Sequence, residues 1–215
     1  VASQVAEMTR MQDEVITGIA NLIESRDGST GLHVKNTQNY VQILTKALRE
    51  KGMYPDILDH NYELNTVKAS VLHDIGKIKT PDAILLKPGR LTDEEFEVMK
   101  QHTVAGCEII DRIIGNVEHE EYVDIARKIA RYHHERWDGT GYPDGLSGEE
   151  IPLCARIMAL ADVFDALYQD RCYKKAIRPA SKVFEIIKEN SGSQFDPNLT
   201  EIFLELQRKI TDISE

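Results

Sequence analysis

The chain carries seven histidines in 215 residues, and five of them stand where they could do chemistry: His33, His73, His102, His133 and His134. His73 is followed at once by Asp74, and Lys77 lies three and four residues further on, the spacing that puts it on their helical face. In "ASVLHDIGK" these ionisable groups close an apolar run, where a buried charge needs a partner or a metal. A core histidine satisfied by a carboxylate would look the same in isolation. His102 follows in "MKQHTVAG", His133 and His134 in "RYHHERWDGTGYPDG", and Asp162 in "MALADVFDAL". An unpaired carboxylate inside that last apolar run would be costly. Asp162 therefore reads as a metal ligand or as half of a helix–helix salt bridge, and Asp165, one turn later, competes for either role. His60 and His119, in polar and charged surroundings, read as surface residues.

Imidazoles and carboxylates without thiolate point to a first-row divalent transition metal and away from a structural zinc site. Five histidines and two aspartates are too many for one ion. They suit two metals that share a bridging carboxylate, with a bridging water or hydroxide as nucleophile. Such a pair is a clamp for phosphoester hydrolysis.

The elements that must position these residues are helical, because no segment of two-residue alternation is long enough for a confident strand. The patterns predict helices over about 32–51, 61–77, 93–114, 122–135, 151–170, 179–190 and 197–210, within an all-α fold of roughly seven or eight helices. Thr92 and Glu95 have the spacing of a capping box, and Pro152 suits a first helical turn. Adjacent histidines point about 100° apart on a regular helix. His133 and His134 can meet one ion only if the helix ends there and the backbone turns. Gly139, Gly141 and Gly145 let the chain double back and Pro143 stiffens it, with Trp137 and Tyr142 expected to pack the loop against the domain. At the start, Val1, Val5, Met8, Gln12, Val15, Ile19 and Leu22 form a heptad stripe with one polar interruption. It fits equally a helix packed on its own domain and a coiled-coil-like dimerising helix.

The net charge of −10 argues against a broad nucleic-acid or anionic-membrane surface. A small anionic substrate stays compatible, because bound cations reverse the local sign. Cys107, Cys154 and Cys172 form no close pair, as expected of free thiols in a reducing cytoplasm. No apolar run reaches the 18 residues of a membrane span, and no signal peptide is visible. The chain opens in mid-pattern at Val1, which reads as a piece of a longer protein with upstream domains.

"HDIGKIKTPDAILLKPGRLTDEE", "KQHTVAG", "YHHERWDGTGYPDGLSGEEIPLCARIMALADVFDAL" and "SGSQFDP" occur in one order, over most of residues 20–210. Together they resemble the HD-GYP branch of the HD phosphohydrolase superfamily, which contains bacterial cyclic di-GMP phosphodiesterases. The resemblance implies an HD-type helical bundle over residues 21–215, with residues 1–20 as a signalling or linker helix. It implies a cytoplasmic enzyme that cuts cyclic di-GMP to pGpG, and in a second step to GMP, with a metal-activated hydroxide. A related cyclic dinucleotide such as cyclic GMP-AMP, or a weakly active binding module, is the alternative. The implied ligands are His33, His73, Asp74 and Asp162 for one metal, with Asp74 bridging to a second held by His102, His133 and His134. Iron or manganese is expected, with nickel, cobalt or zinc also compatible. Lys77 would meet the scissile phosphate, Arg171 and Lys174 would hold substrate phosphates, and the Gly141-Tyr142-Pro143 loop would contact GGDEF domains. An upstream sensor or receiver domain and a homodimer are also implied. Three departures stand out: Ser29 where some members carry a third-metal glutamate, Asn36 beside Lys35 where basic residues are common, and Cys172 in "RCYK" where proline is common. Ser29 leads to an expectation of two metals.

Overall fold

The computed structural model describes residues 2–27, 32–115, 120–169 and 176–214. Ser29, His119, Arg171, Cys172 and Lys174 lie outside them. The described residues form ten α-helices and no β-strand: α1 Ala2–Glu24, α2 His33–Glu50, α3 His60–Ala69, α4 Asp82–Leu85, α5 Asp93–Ile114, α6 Glu120–Tyr132, α7 Leu153–Tyr168, α8 Ala180–Glu189, α9 Pro197–Glu205 and α10 Gln207–Ser214. The all-α expectation holds. The count exceeds seven or eight because α4 is a single turn and the last predicted helix is divided into α9 and α10 at Leu206.

The centre of the bundle is α7. It is buried on every side from Leu153 to Ala161, as expected of a helix that is apolar all round. It packs against α2, α6, α8 and α9. Tyr40, Phe164, Phe184 and Phe203 meet edge-on or tilted in its lower core, a geometry the ring quadrupoles favour. Start signals act as read: Thr92 and Glu95 close a full capping box on α5, and Pro152 occupies the N-cap of α7.

Helix α1 divides its apolar residues between two faces. Ile16, Ala20 and Ile23 join the core. The heptad residues Val15, Ile19 and Leu22 face outward, at 56%, 42% and 70% exposure. Helix α1 packs on its own domain through the first face, and of the described heptad residues Ile19 lines a shallow apolar hollow with Leu72, Ile75 and Ile110. The side chains of Val1, Val5, Met8 and Gln12 lie outside the described set.

The expected helix over 61–77 stops early. Helix α3 ends at Ala69, and the chain continues through 3-10 turns at Ser70–Leu72 and Ile75–Lys79, with Asp74 off helical geometry between them. The Ser70 hydroxyl bonds back to the Val67 carbonyl, a local competitor to helical hydrogen bonding. Lys77 N–H bonds to the Asp74 carbonyl in a tight turn, which keeps Lys77 beside Asp74 without a continuous helix. Gly76 is required by space here. A Cβ on it would stand 1.9 Å from the His102 carbonyl oxygen and 2.5 Å from Gly106 N on α5. This contact seats the "HDIGK" segment on α5 and brings His102 to Asp74.

Candidate metal centre

Five imidazoles and three carboxylates converge where α1, α2, α5, α6, α7 and the "HDIGK" turn meet. At one end, Glu24, His33, His73 and Asp74 offer ligand atoms all within 4.8 Å of one another. At the other end, Asp74, His102, His133 and His134 do the same. Asp74 belongs to both sets. His102 Nε2 lies 3.2 Å and His133 Nε2 3.7 Å from Asp74 Oδ1. Lys77 Nζ lies 2.6 Å from Asp74 Oδ2. Asp162 Oδ1 lies 3.4 Å from His33 Nε2. The adjacent histidines are accommodated as the turn argument requires. Helix α6 ends at Tyr132, and the two rings sit 4.0 Å apart between centroids, both facing His102.

The far nitrogens are anchored. His73 Nδ1 donates to the Ser70 carbonyl at 2.9 Å, His102 Nδ1 to Met99 at 2.7 Å and His133 Nδ1 to Ile129 at 2.9 Å. A carbonyl can only accept, so each Nδ1 carries a proton, and in the neutral ring Nε2 is the nitrogen with the lone pair. His33 Nδ1 donates to Asp165 Oδ2 at 2.7 Å, and Asp165 Oδ1 accepts from Asn36 and Tyr40. The rivalry between Asp162 and Asp165 is thus resolved by place: Asp162 faces the centre and Asp165 stands behind His33.

The Nε2 atoms of His33, His73, His102 and His133, and Asp74 Oδ1, are buried without a hydrogen-bond partner. Orphaned buried acceptors of this kind are rare in folded proteins. Burial holds His133 below and His134 well below the ordinary imidazole range, so both are neutral, as ligands must be. Burial would raise the Asp74 and Asp162 carboxyls, but Lys77 and His73 around Asp74, and His33 and His73 around Asp162, hold both low. Burial disfavours a charged His73, yet Asp74 outweighs it and pushes the ring up to about 9. The field between the carboxylates favours positive charge. Oriented lone pairs, ionised carboxylates and no thiolate fit divalent cations of the first transition row.

Two residues here were not singled out from the sequence. Glu24 is buried beside Lys77. It continues the inward face of α1 at steps of four after Ile16 and Ala20, and a carboxylate on such a face was the available signal. Glu135 holds the glycine-rich loop. Its carboxylate accepts the backbone N–H groups of Asp144, Gly145 and Leu146 at 2.7, 3.1 and 3.1 Å. Tyr142 packs on His134 and Phe96, and Gly141 has backbone of Glu135 and Arg136 where a Cβ would sit. The triplet thus lies against a candidate ligand and braces it. Glu135→Ala would leave three N–H groups without their acceptor, and is expected to cost about 2–4 kcal/mol in denaturant unfolding. An unchanged midpoint would show that the loop does not depend on it.

Asp165→Asn is expected to weaken metal affinity about 10–100-fold, because it removes the anionic acceptor that orients His33. Competition with a chelator measures this, and unchanged affinity would mean that His33 needs no such orientation.

A family model described as HD domain matches residues 19–199. The chain belongs to the HD domain family. Its Gly141-Tyr142-Pro143 loop marks the HD-GYP branch. This HD domain is 45% identical over 211 residues to a cyclic di-GMP phosphodiesterase of Vibrio cholerae, covering 97% of the chain and 42% of that relative. It is 36% identical over 199 residues to a 3'3'-cGAMP-specific phosphodiesterase of the same organism, covering 93% of the chain and 35% of the relative. The chain thus spans less than half the length of these relatives. Its fold matches the crystal structure of a cyclic GMP-AMP specific phosphodiesterase of V. cholerae with a TM-score of 0.61 at 19% identity, over 93% of this chain and 50% of that one. No helix among the described residues is long and apolar enough to cross a membrane.

Proposed function

We propose that this HD domain is a metal-dependent phosphodiesterase that hydrolyses cyclic di-GMP to pGpG. The observation that carries this is the cluster of orphaned imidazole nitrogens around Asp74, with His102 and His133 at one carboxylate oxygen and His73 and the Lys77 ammonium at the other. The named activity of the V. cholerae relative supports the substrate. His33, His73, Asp74 and Asp162 would hold one divalent cation, and Asp74, His102, His133 and His134 a second, with iron or manganese preferred. Two such cations neutralise phosphate charge and activate the attacking water.

The protein's own contribution begins with Lys77. Its ammonium faces Asp74, a carboxylate that would also bind the cations, and from there it can offset charge developing on the phosphorane and the leaving 3′ oxygen. Asp74 belongs to both ligand sets and would serve both cations. Arg171 and Lys174 are proposed to grip the outer phosphates, the guanidinium bidentately and the ammonium as a point charge. The outward heptad face of α1 supports a homodimer and a link to an upstream sensor, with residues 1–20 as the signalling helix. The Gly141-Tyr142-Pro143 loop is proposed as the face for GGDEF partners, in the bacterial cytoplasm.

The test uses the chain purified without oxygen and loaded with Fe(II) or Mn(II). Cyclic di-GMP and 3'3'-cGAMP are followed by chromatography. Conversion of cyclic di-GMP to pGpG with two metal equivalents is the expected result. Faster hydrolysis of 3'3'-cGAMP would move the substrate to the second reading, which the 36% identical relative favours. Tight binding without hydrolysis by any metal form would make the chain a binding module, and three equivalents would overturn the two-metal count.

A further inference from the structure

The end of α1 runs into the reaction centre. Glu24 is 2% exposed, and its Oε1 lies 3.3 Å from Lys77 Nζ. The ammonium therefore stands between two carboxylates, Glu24 and Asp74. Two residues on, Arg26 grips the backbone that carries Lys77. Its Nη1 donates to the carbonyls of Lys77 and Ile78 at 3.3 and 3.2 Å. Its Nη2 donates to the Thr80 carbonyl at 3.4 Å and to Asp82 Oδ1 at 2.6 Å. One short stretch thus holds both the side chain and the main chain of Lys77.

A lysine stem is flexible and carries about 2 kcal/mol of rotamer entropy. A lysine that must meet phosphate at one point gains rate from being held there beforehand. Asp74 cannot be its sole anchor if that carboxylate also serves cations. Glu24 lies on a different element and supplies a second anchor that arrives with α1.

We propose that Glu24 is a positioning residue for Lys77, and that Glu24 and Arg26 make the end of α1 part of the reaction centre. This rests on the phosphodiesterase reading. The rival role, suggested by the nearness of Glu24 to His33 and His73, is metal ligation.

The experiment compares Glu24→Ala, Glu24→Gln, Lys77→Ala and the Glu24→Ala/Lys77→Ala double variant in the metal-loaded chain. Glu24→Ala is expected to lower kcat about 10–100-fold with KM within about threefold and metal content unchanged. Glu24→Gln keeps an acceptor at the same reach and should recover much of that loss. In the Lys77→Ala background, Glu24→Ala should cost less than about twofold more. Equal cost in both backgrounds would overturn the proposal, and so would loss of a metal equivalent. Reductive methylation of Lys77, read by mass spectrometry, is independent of turnover and should rise several-fold in Glu24→Ala. If the parent chain hydrolyses no cyclic dinucleotide, the phosphodiesterase reading fails. The methylation rate then decides the positioning of Lys77 by itself, and an unchanged rate overturns it. Should Glu24→Ala fail to fold, the same measurements on Glu24→Leu, which fills the space without an acceptor, decide, with unchanged kcat and unchanged methylation against the proposal.

Discussion

His102→Ala is expected to remove one of two metal equivalents and to lower turnover of cyclic di-GMP by at least about 10³-fold, with the helical fold kept. His102 comes from α5, and its Nε2 lies 3.2 Å from Asp74 Oδ1. Among the described residues Asp74, His133 and His134 share its end of the centre, so the set of His33, His73 and Asp162 is left intact. A cation acting as Lewis acid supplies several kcal/mol of transition-state stabilisation, and about 4 kcal/mol corresponds to the expected thousandfold loss. The cost to folding is small by comparison. His102 Nε2 is a buried polar atom without a hydrogen-bond partner, so its removal relieves a desolvated group as well as opening space. Metal analysis, single-turnover kinetics and circular dichroism measure the three parts. Activity retained at parental metal content would refute the two-metal arrangement.

Gly76→Ala attacks the same site through packing. The added methyl would lie 1.9 Å from the His102 carbonyl oxygen and 2.5 Å from Gly106 N, both on the backbone of α5. No flexible side-chain end is available to yield, so the "HDIGK" segment and α5 must separate. The expected destabilisation exceeds about 3 kcal/mol, at the upper end of overpacking effects. For a chain of this size that is a fall in Tm of about 6–12 °C. The movement also draws His102 away from Asp74, so metal affinity at that end should fall with stability. A Tm within about 2 °C of the parent, with unchanged metal content, would show that the two backbones are not held as closely as this.

The fold class was readable because its signals are local. The Thr92–Glu95 box, Pro152 and the all-round apolar run of α7 each act within a few residues, and each falls where its element begins or packs. The break at Ala69 was less readable. A helical pattern runs through "ASVLHDIGK", and what stops it is a serine back-bond and a glycine demanded by another helix. The long pattern at the C-terminus hid a division at Leu206 for the same reason: periodicity reports the buried face, not where the axis changes.

Sequence by itself determined the chemical inventory: histidines and carboxylates without a thiolate, a lysine beside the His–Asp pair, and the motif order that identifies the HD domain family. Tertiary structure alone decided how that inventory is arranged. It put Asp74 in both clusters, turned Asp162 toward the centre and Asp165 behind His33, and brought Glu24 from α1 to Lys77. Residue type sets what an atom can donate, accept or bind, and so can be read along the chain. Distance between atoms far apart in sequence is set by how the helices pack, as where Gly76 meets α5. No local pattern encodes that meeting, because it depends on two surfaces fitting each other.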